Sequence, residues 1–281
     1  MKPILGIDIT DDKNNSVING ENFVTASVSK DKYDKFVEKQ ESFDATLERS
    51  KTPLWTRIVK AVCGIYALLV VAAVIRAGFG TAFKNAPYLV ISAGICAVIW
   101  VALQIYAIKK QKRVLEEENA SGQLENIDAI ANELYAELNI PSLAETVDVL
   151  MFRYTVKDGE ICPKTLGFQS TPYINLSAKA YRRDDTLYVA DLEKVYSFNL
   201  SEIRTIRTVN KRISVPSWNK DEDPKSDEYC QYKMTVNNMG DVFFKPYHIL
   251  EIEREGELYG LYFPCYELDV FERLTGIAAE K

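Results

Sequence analysis

The chain is poor in the residues that carry most protein chemistry. Its 281 residues include one histidine, His248, and five cysteines: Cys63, Cys96, Cys162, Cys230 and Cys265. A single imidazole excludes a His-rich metal centre. His248 lies in the strand-like run "PYHILEI", where a structural role is expected. The cysteines are odd in number, and none shows a zinc-type or C-x-x-C spacing, so no disulfide framework or metal is expected. There is no Gly-rich phosphate loop, no G-x-S-x-G elbow and no H-E-x-x-H pair. No catalytic residue and no cofactor is assigned, and the chain is expected not to be an enzyme. Basic charge is short as well. Lys and Arg number 34 against 40 Asp and Glu, a net charge of −6. That balance argues against a nucleic-acid partner, since neutralising phosphates needs a basic surface. The opening "MKPILGIDITDDKNN" is not read as a secretion signal, because its apolar run is short and turns acidic at once.

What the chain has instead is segregation. Pro87 to Ile108 carries no charge and is followed by four cations in five positions, Lys109, Lys110, Lys112 and Arg113. A helix needs about 20 mostly apolar residues to cross a bilayer. Leu54–Ile75 and Pro87–Ile108 meet that length. Arg57 and Lys60 lie near the start of the first segment, where long basic side chains reach the headgroups. The pattern predicts a transmembrane hairpin over 54–108. Trp55 and Tyr106 are expected to mark one interface and Phe83 and Tyr88 the other, with Tyr66 and Trp100 deeper as packing residues. Ala93 and Ala97 are a small-xxx-small pair that would let the two helices approach. The connecting loop holds only Arg76 and Lys84, whereas the outer flanks hold Arg49, Lys51, Arg57, Lys60 and the 109–113 cluster. By the positive-inside rule both termini are expected to be cytoplasmic, in a multi-pass plasma-membrane protein.

The flanks divide into further parts. Residues 1–50 are expected to be a cytoplasmic segment, irregular or weakly extended up to Gly20. From Ser29 to Ser50 it becomes an amphipathic helix, with Tyr33, Phe36, Val37, Phe43 and Leu47 at near-helical spacing. Residues 109–143 read as a helical linker, with Leu124, Ile127, Ile130, Ala131, Leu134 and Leu138 in one stripe, a break at Gly122 and an end at Pro141. From residue 144 to 281 the texture is β. Hairpin turns are expected at Asp158–Gly159, at the DLEK segment, at Asn238 to Gly240 and at Glu255–Gly256. The charged stretch over 214–229 is expected to be a loop, and its carboxylates a solvated face. A final helix is expected with Pro264 in its first turn, an apolar set Leu268, Phe271 and Leu274, and Gly276 as its cap.

The stretches "TLYVADLEKVYSFNLSEIRTI" and "HILEIEREGELYGLYFPCYELDVFERLTG" resemble the bacterial pleckstrin-homology-like (PH-like) family. The first is similar to that family's turn into an isoleucine-ended strand, the second to its last hairpin and capping helix. The likeness covers under half the chain. It implies an α+β membrane protein: a two-helix hairpin plus a bent antiparallel sheet plugged by a C-terminal helix. The combination is also similar to bacterial membrane proteins that attach such a domain to a hairpin, which supplies a location and no activity. The expected role is a non-enzymatic interaction or scaffold module, whose partners are the lipid bilayer and another protein. The alternative is a membrane-anchored lipid or small-ligand sensor. Candidate ligand or membrane contacts are Arg207 and Lys211 in "IRTIRTVNKRI", with Lys109, Lys110, Lys112 and Arg113. In a regular strand Arg204 and Arg212 would share one face and Arg207 and Lys211 the other. Residues 145–281 hold 23 acids and 18 bases. Anionic lipid is therefore disfavoured, and a protein or peptide ligand on a sheet edge or groove is expected.

Overall fold

The computed structural model describes residues 1–10, 18–165, 171–216, 231–237 and 241–280. It is an α+β protein of two compact units, one formed by Met1–Tyr33 with Glu133–Lys281, the other by Asp34–Asn132.

The second unit is helical. The amphipathic helix α1 (Lys30–Ser50) runs into it, followed by α2 (Leu54–Ala77), the short α3 (Phe79–Asn85), α4 (Pro87–Glu117) and α5 (Ala120–Glu137). Helices α2 and α4 pack side by side. Both are long and apolar enough to cross a membrane. At 1.5 Å per residue they measure about 36 and 46 Å. Gly78, at φ 82°, separates α2 from α3, and Pro87 opens α4 at a position that needs no donor. The helix break expected at Gly122 falls earlier, at Glu118–Asn119. Asn119 takes the left-handed φ of 48° that asparagine tolerates, and Gly122 lies inside α5.

The first unit is built on a twelve-stranded sheet with β1 (Lys2–Pro3), β2 (Gly6–Asp8), β3 (Val24–Ser27), β4 (Glu145–Lys157), β5 (Glu160–Pro163), β6 (Tyr173–Arg183), β7 (Thr186–Ala190), β8 (Lys194–Asn199), β9 (Ile203–Val209), β13 (Tyr247–Arg254), β14 (Glu257–Pro264) and β15 (Ala279–Glu280). A three-stranded sheet adds β10 (Ile213–Val215), β12 (Val242–Phe244) and β11 (Thr235–Val236) in that order. Asp158–Gly159 and Glu255–Gly256 both have positive φ at both positions, the geometry of tight hairpin turns. Asp191 Oδ1 accepts from the backbone of Glu193 and Lys194 at 2.7 and 2.6 Å, which fixes the β7–β8 turn. The turn expected at 238–240 lies outside the described residues.

Strand β4 explains its own sequence. Val147 and Val149 point into a core shared with Phe23, Phe198, Ile206, Leu250, Phe263 and Phe271. Leu150, Phe152 and Tyr154 point into a second core with Ile213, Val215, Val242, Phe244 and Tyr262. The run "VDVLMFRY" is therefore nearly continuous in apolar residues because both faces are covered. Helix α6 (residues Leu268–Thr275) closes the first core, and Gly276, at φ 74°, caps it as expected.

Two expectations are corrected here. The first is that residues 1–50, irregular or weakly extended up to Gly20, form a segment apart from the β region. Strands β1 and β2 instead run parallel to β14 and β4. These two strands diverge, pairing with each other only at Tyr262–Leu150. The N-terminal segment fills the gap. Ile4 N–H donates to the Gly260 carbonyl at 2.9 Å, and Phe152 N–H to the Leu5 carbonyl at 3.2 Å. Buried backbone groups of splayed strands need such partners. The second correction concerns the loop expected over 214–229. Ser214 and Val215 belong to strand β10, and Val215 is fully buried. Residues 217–229 lie outside the described residues.

Candidate functional site

Strand β9 disperses the cationic set expected of it. A register shift where Glu251 and Ile252 face β9 breaks strict alternation. Ile203 and Ile206, three apart, both turn inward, and Arg204 and Arg207 both lie outside. Lys211 and Arg212 lie beyond the end of β9, so the alternation expected to pair Arg204 with Arg212 and Arg207 with Lys211 does not extend to them. Arg207 Nε instead donates to Glu251 at 2.6 Å, and Arg204 pairs with Glu253. Other β-unit cations pair similarly, among them Arg254 with Glu202 at 2.7 Å, Arg273 with Glu145 at 2.5 Å and Lys194 with Glu21 at 2.7 Å.

Four exposed cations of this unit, Lys211, Arg212, Lys233 and Lys245, have no carboxylate partner among the described residues, and they cluster. Lys211 N–H turns back to the Val209 carbonyl at 2.8 Å, which ends β9 and delivers Arg212 to the edge of the small sheet. Ile213 pairs with Phe244, Ser214 with Phe243, and Thr235 with Phe243 on the other side of β12. Ile213 and Phe244 go into the core, while Phe243 stays at the surface. The Arg212 guanidinium lies 4.9 Å from the Phe243 ring centre and donates to Thr235 Oγ1 at 2.7 Å. It is thus oriented by an aromatic face and a neutral hydroxyl, and no described carboxylate compensates its charge. Beside it opens a cleft of about 470 Å³ whose walls include Asn210, Gln231, Lys233, Thr235, Lys245 and Pro246. On the other side of Arg212 a second hollow of about 420 Å³ holds Lys211, Ser214 and Tyr173. Among the described residues, neither wall contains a carboxylate. The arrangement suits an anion: a planar fork for bidentate binding, two mobile ammonium groups, and amide and hydroxyl donors.

Of the residues singled out from sequence, Lys211 belongs to this cluster and Arg207 does not. Arg212, Lys233 and Lys245 were not singled out. They come from three separate segments, and only the order β10–β12–β11 brings them together. On α4, Lys112 and Arg113 face Glu116 and Glu117 one helical turn on, both at 3.7 Å. Lys110 turns inward to the Lys51 carbonyl at 2.6 Å, and Lys109 is exposed.

A second polar group was also invisible in sequence. Asp148 and Glu267 are fully buried. Asp148 Oδ2 accepts from Tyr266 Oη at 2.8 Å and Asn175 Nδ2 at 3.0 Å, and Glu267 Oε1 accepts from the Asp148 N–H at 2.9 Å. Burial and the adjacent Asp148 carboxylate hold the Tyr266 hydroxyl well above the ordinary phenol range. This cluster ties β4 to the corner between β14 and α6. Among the described residues, no three His, Cys, Asp or Glu side chains converge as metal ligands would.

No family model, no curated protein and no solved structure matches this chain.

Proposed function

We propose that this is a membrane-anchored, non-enzymatic binding protein. Its α2–α4 hairpin spans the bilayer with both termini on the cytoplasmic side. Its β unit, of the PH-like type implied by the sequence resemblance, binds an acidic segment of a partner protein. The observation that carries the reading is the Arg212 cluster. Its guanidinium is oriented by Phe243 and Thr235, and Lys233 and Lys245 stand beside it without a counter-charge among the described residues. Lys211, Arg212, Lys233 and Lys245 gather around two neighbouring hollows with no carboxylate partner among the described residues, as cations at an anion site do. Membrane spanning is supported by the outward apolar side chains of the hairpin, among them Leu68, Ile75 and Val98 at 70%, 78% and 69% exposure.

The test uses the full chain in detergent micelles and labelled peptides rich in Asp, Glu or phosphoserine. Binding is expected to be salt-sensitive and to weaken at least tenfold in Arg212→Gln with Lys233→Gln. Retention of inorganic pyrophosphate with no peptide binding supports the small-ligand sensor instead. Failure of both overturns the reading. Reporter fusions after residue 50, near Gly80 and after Lys281 are expected to report inside, outside, inside. A cytoplasmic signal from the loop fusion sinks the hairpin topology.

A further inference from the structure

The foot of the hairpin holds a second cationic hollow, of about 460 Å³, where the α1–α2 turn meets α4. Its walls include the cations Arg49, Lys51, Arg57 and Lys110, with Leu54 and one carboxylate, Glu48. These four cations are not equivalent. Arg49 donates to Glu118 at 2.7 Å, and Lys51 is bonded to Glu48. Arg57 and Lys110 have no carboxylate among the described residues. Their contacts are neutral: Arg57 Nε to Thr52 Oγ1 at 3.5 Å, and Lys110 Nζ to the Lys51 carbonyl at 2.6 Å. Each contact orients a cation without neutralising it. Lys110 is half-buried, so its charge is held in place more firmly than that of an exposed lysine.

Position decides which anion fits. Leu54 lines the same hollow and is 71% exposed, and Trp55 beside it is 59% exposed. A hydrophilic small anion would leave that apolar lip in water. A molecule with a charged head and a hydrocarbon body satisfies both parts. On the spanning reading proposed above, this level is the cytoplasmic headgroup layer, where Trp and long basic side chains settle. We infer that Arg57 and Lys110 form a defined site for the phosphate of one anionic glycerophospholipid, whose acyl chains lie along Leu54 and Trp55. The guanidinium offers two parallel donors to the phosphate oxygens, and the ammonium closes the other side. The site is distinct from general attraction of basic flanks to the leaflet. Lys112 and Arg113 are further out on the same helix and are occupied by Glu116 and Glu117.

The experiment is native mass spectrometry of the full chain released from nanodiscs of phosphatidylglycerol and phosphatidylcholine mixed equally. One phosphatidylglycerol is expected to remain bound in preference to phosphatidylcholine. A basic residue near a membrane surface contributes about 1 kcal/mol, roughly fivefold in affinity. Arg57→Gln with Lys110→Gln should therefore weaken retention about thirtyfold, and Lys109→Gln should leave it unchanged. Equal losses in Lys109→Gln and in the double variant, or no lipid preference in the parent chain, overturn the site. Carbonate extraction of membranes is run alongside. Chain released by alkali refutes the spanning reading itself, whereas chain retained without a preferred lipid refutes only the site.

Discussion

Phe271 of α6 stacks on Phe263 of β14, with ring centres 4.2 Å apart and planes 24° from parallel. Both rings are fully buried. The helix is therefore held by its aromatic anchor, with Thr275 Oγ1 donating to the Phe271 carbonyl at 2.7 Å beside the Gly276 cap. Phe271→Ala is expected to cost about 3–5 kcal/mol, the usual range for a buried ring that leaves a cavity. Chemical denaturation followed by tryptophan-independent circular dichroism measures it. A loss below about 1 kcal/mol would mean that α6 does not close the core.

The N-terminal strands carry a second expectation. Phe23 is fully buried, 5.2 Å from the Phe198 ring and 5.0 Å from that of Tyr259, with the Arg254 guanidinium 4.0 Å above it. Arg254 also bonds the Asn22 carbonyl and Glu202, whose carboxyl it holds below its ordinary range. A fragment of residues 144–281 alone would lose Ile4, Leu5 and Phe23 and uncover backbone groups of β4 and β14. It is expected to be unfolded or aggregated, and a fragment fusing residues 1–33 to 133–281 to fold cooperatively. Native-like hydrogen exchange in the shorter fragment would refute this.

These contrasts show what sequence made legible. The second hairpin helix announces itself because 22 consecutive uncharged residues have few other uses, and the first matches it in length with Arg57 and Lys60 only near its start. The tight turns at Asp158–Gly159 and Glu255–Gly256 follow from local backbone preference. Strands β1 and β2 are too short to show alternation, and their parallel pairing depends on a gap between strands over 140 residues away. The cationic cluster was half legible. Lys211 stood out in a basic run, but Arg207, in regular register opposite Ile249, bonds Glu251, and Lys233 and Lys245 arrive from other segments. Asp148 looked like an ordinary break in an apolar run, because its partners Tyr266 and Glu267 lie far along the chain.

His248 makes stability depend on pH. It is buried, its Nδ1 is 3.2 Å from Thr208 Oγ1, and its ring stacks on Phe263. Burial pushes its pKa down to about 4 from 6.5, outweighing the nearby Glu272 carboxylate. Below pH 6.5 the unfolded chain takes up a proton that the folded chain refuses, so stability falls as pH drops from 6.5 towards 4. The loss between pH 7 and pH 5 is expected to be about 2 kcal/mol. In His248→Gln, whose amide keeps a partner for Thr208, that slope should flatten. An unchanged slope would assign the effect to other groups.

The hairpin pairing is open to a direct chemical test. Lys60 Nζ donates to Gln104 Oε1 at 2.7 Å, and the Tyr66 and Ser92 hydroxyls bond at 2.7 Å. Between these levels lie Cys63 of α2 and Cys96 of α4, close neighbours across the seam. Ala93, one turn away, is buried, so the backbones come close there, and Ala97, more exposed, lines a hollow along the same pair of helices with Gly64 and Trp100. Gly64 belongs to the same seam, since a Cβ there would meet the Trp100 indole at 3.3 Å. With Cys162, Cys230 and Cys265 replaced by Ser, a membrane-permeant oxidant is expected to join Cys63 to Cys96 within one chain, protecting both from alkylation. Gly64→Leu should wedge the seam and slow that oxidation severalfold, while Gly94→Leu, at a glycine with open space around its Cα, should not. Disulfide-linked dimers in place of the intramolecular bond would mean that α2 pairs with α4 of another copy.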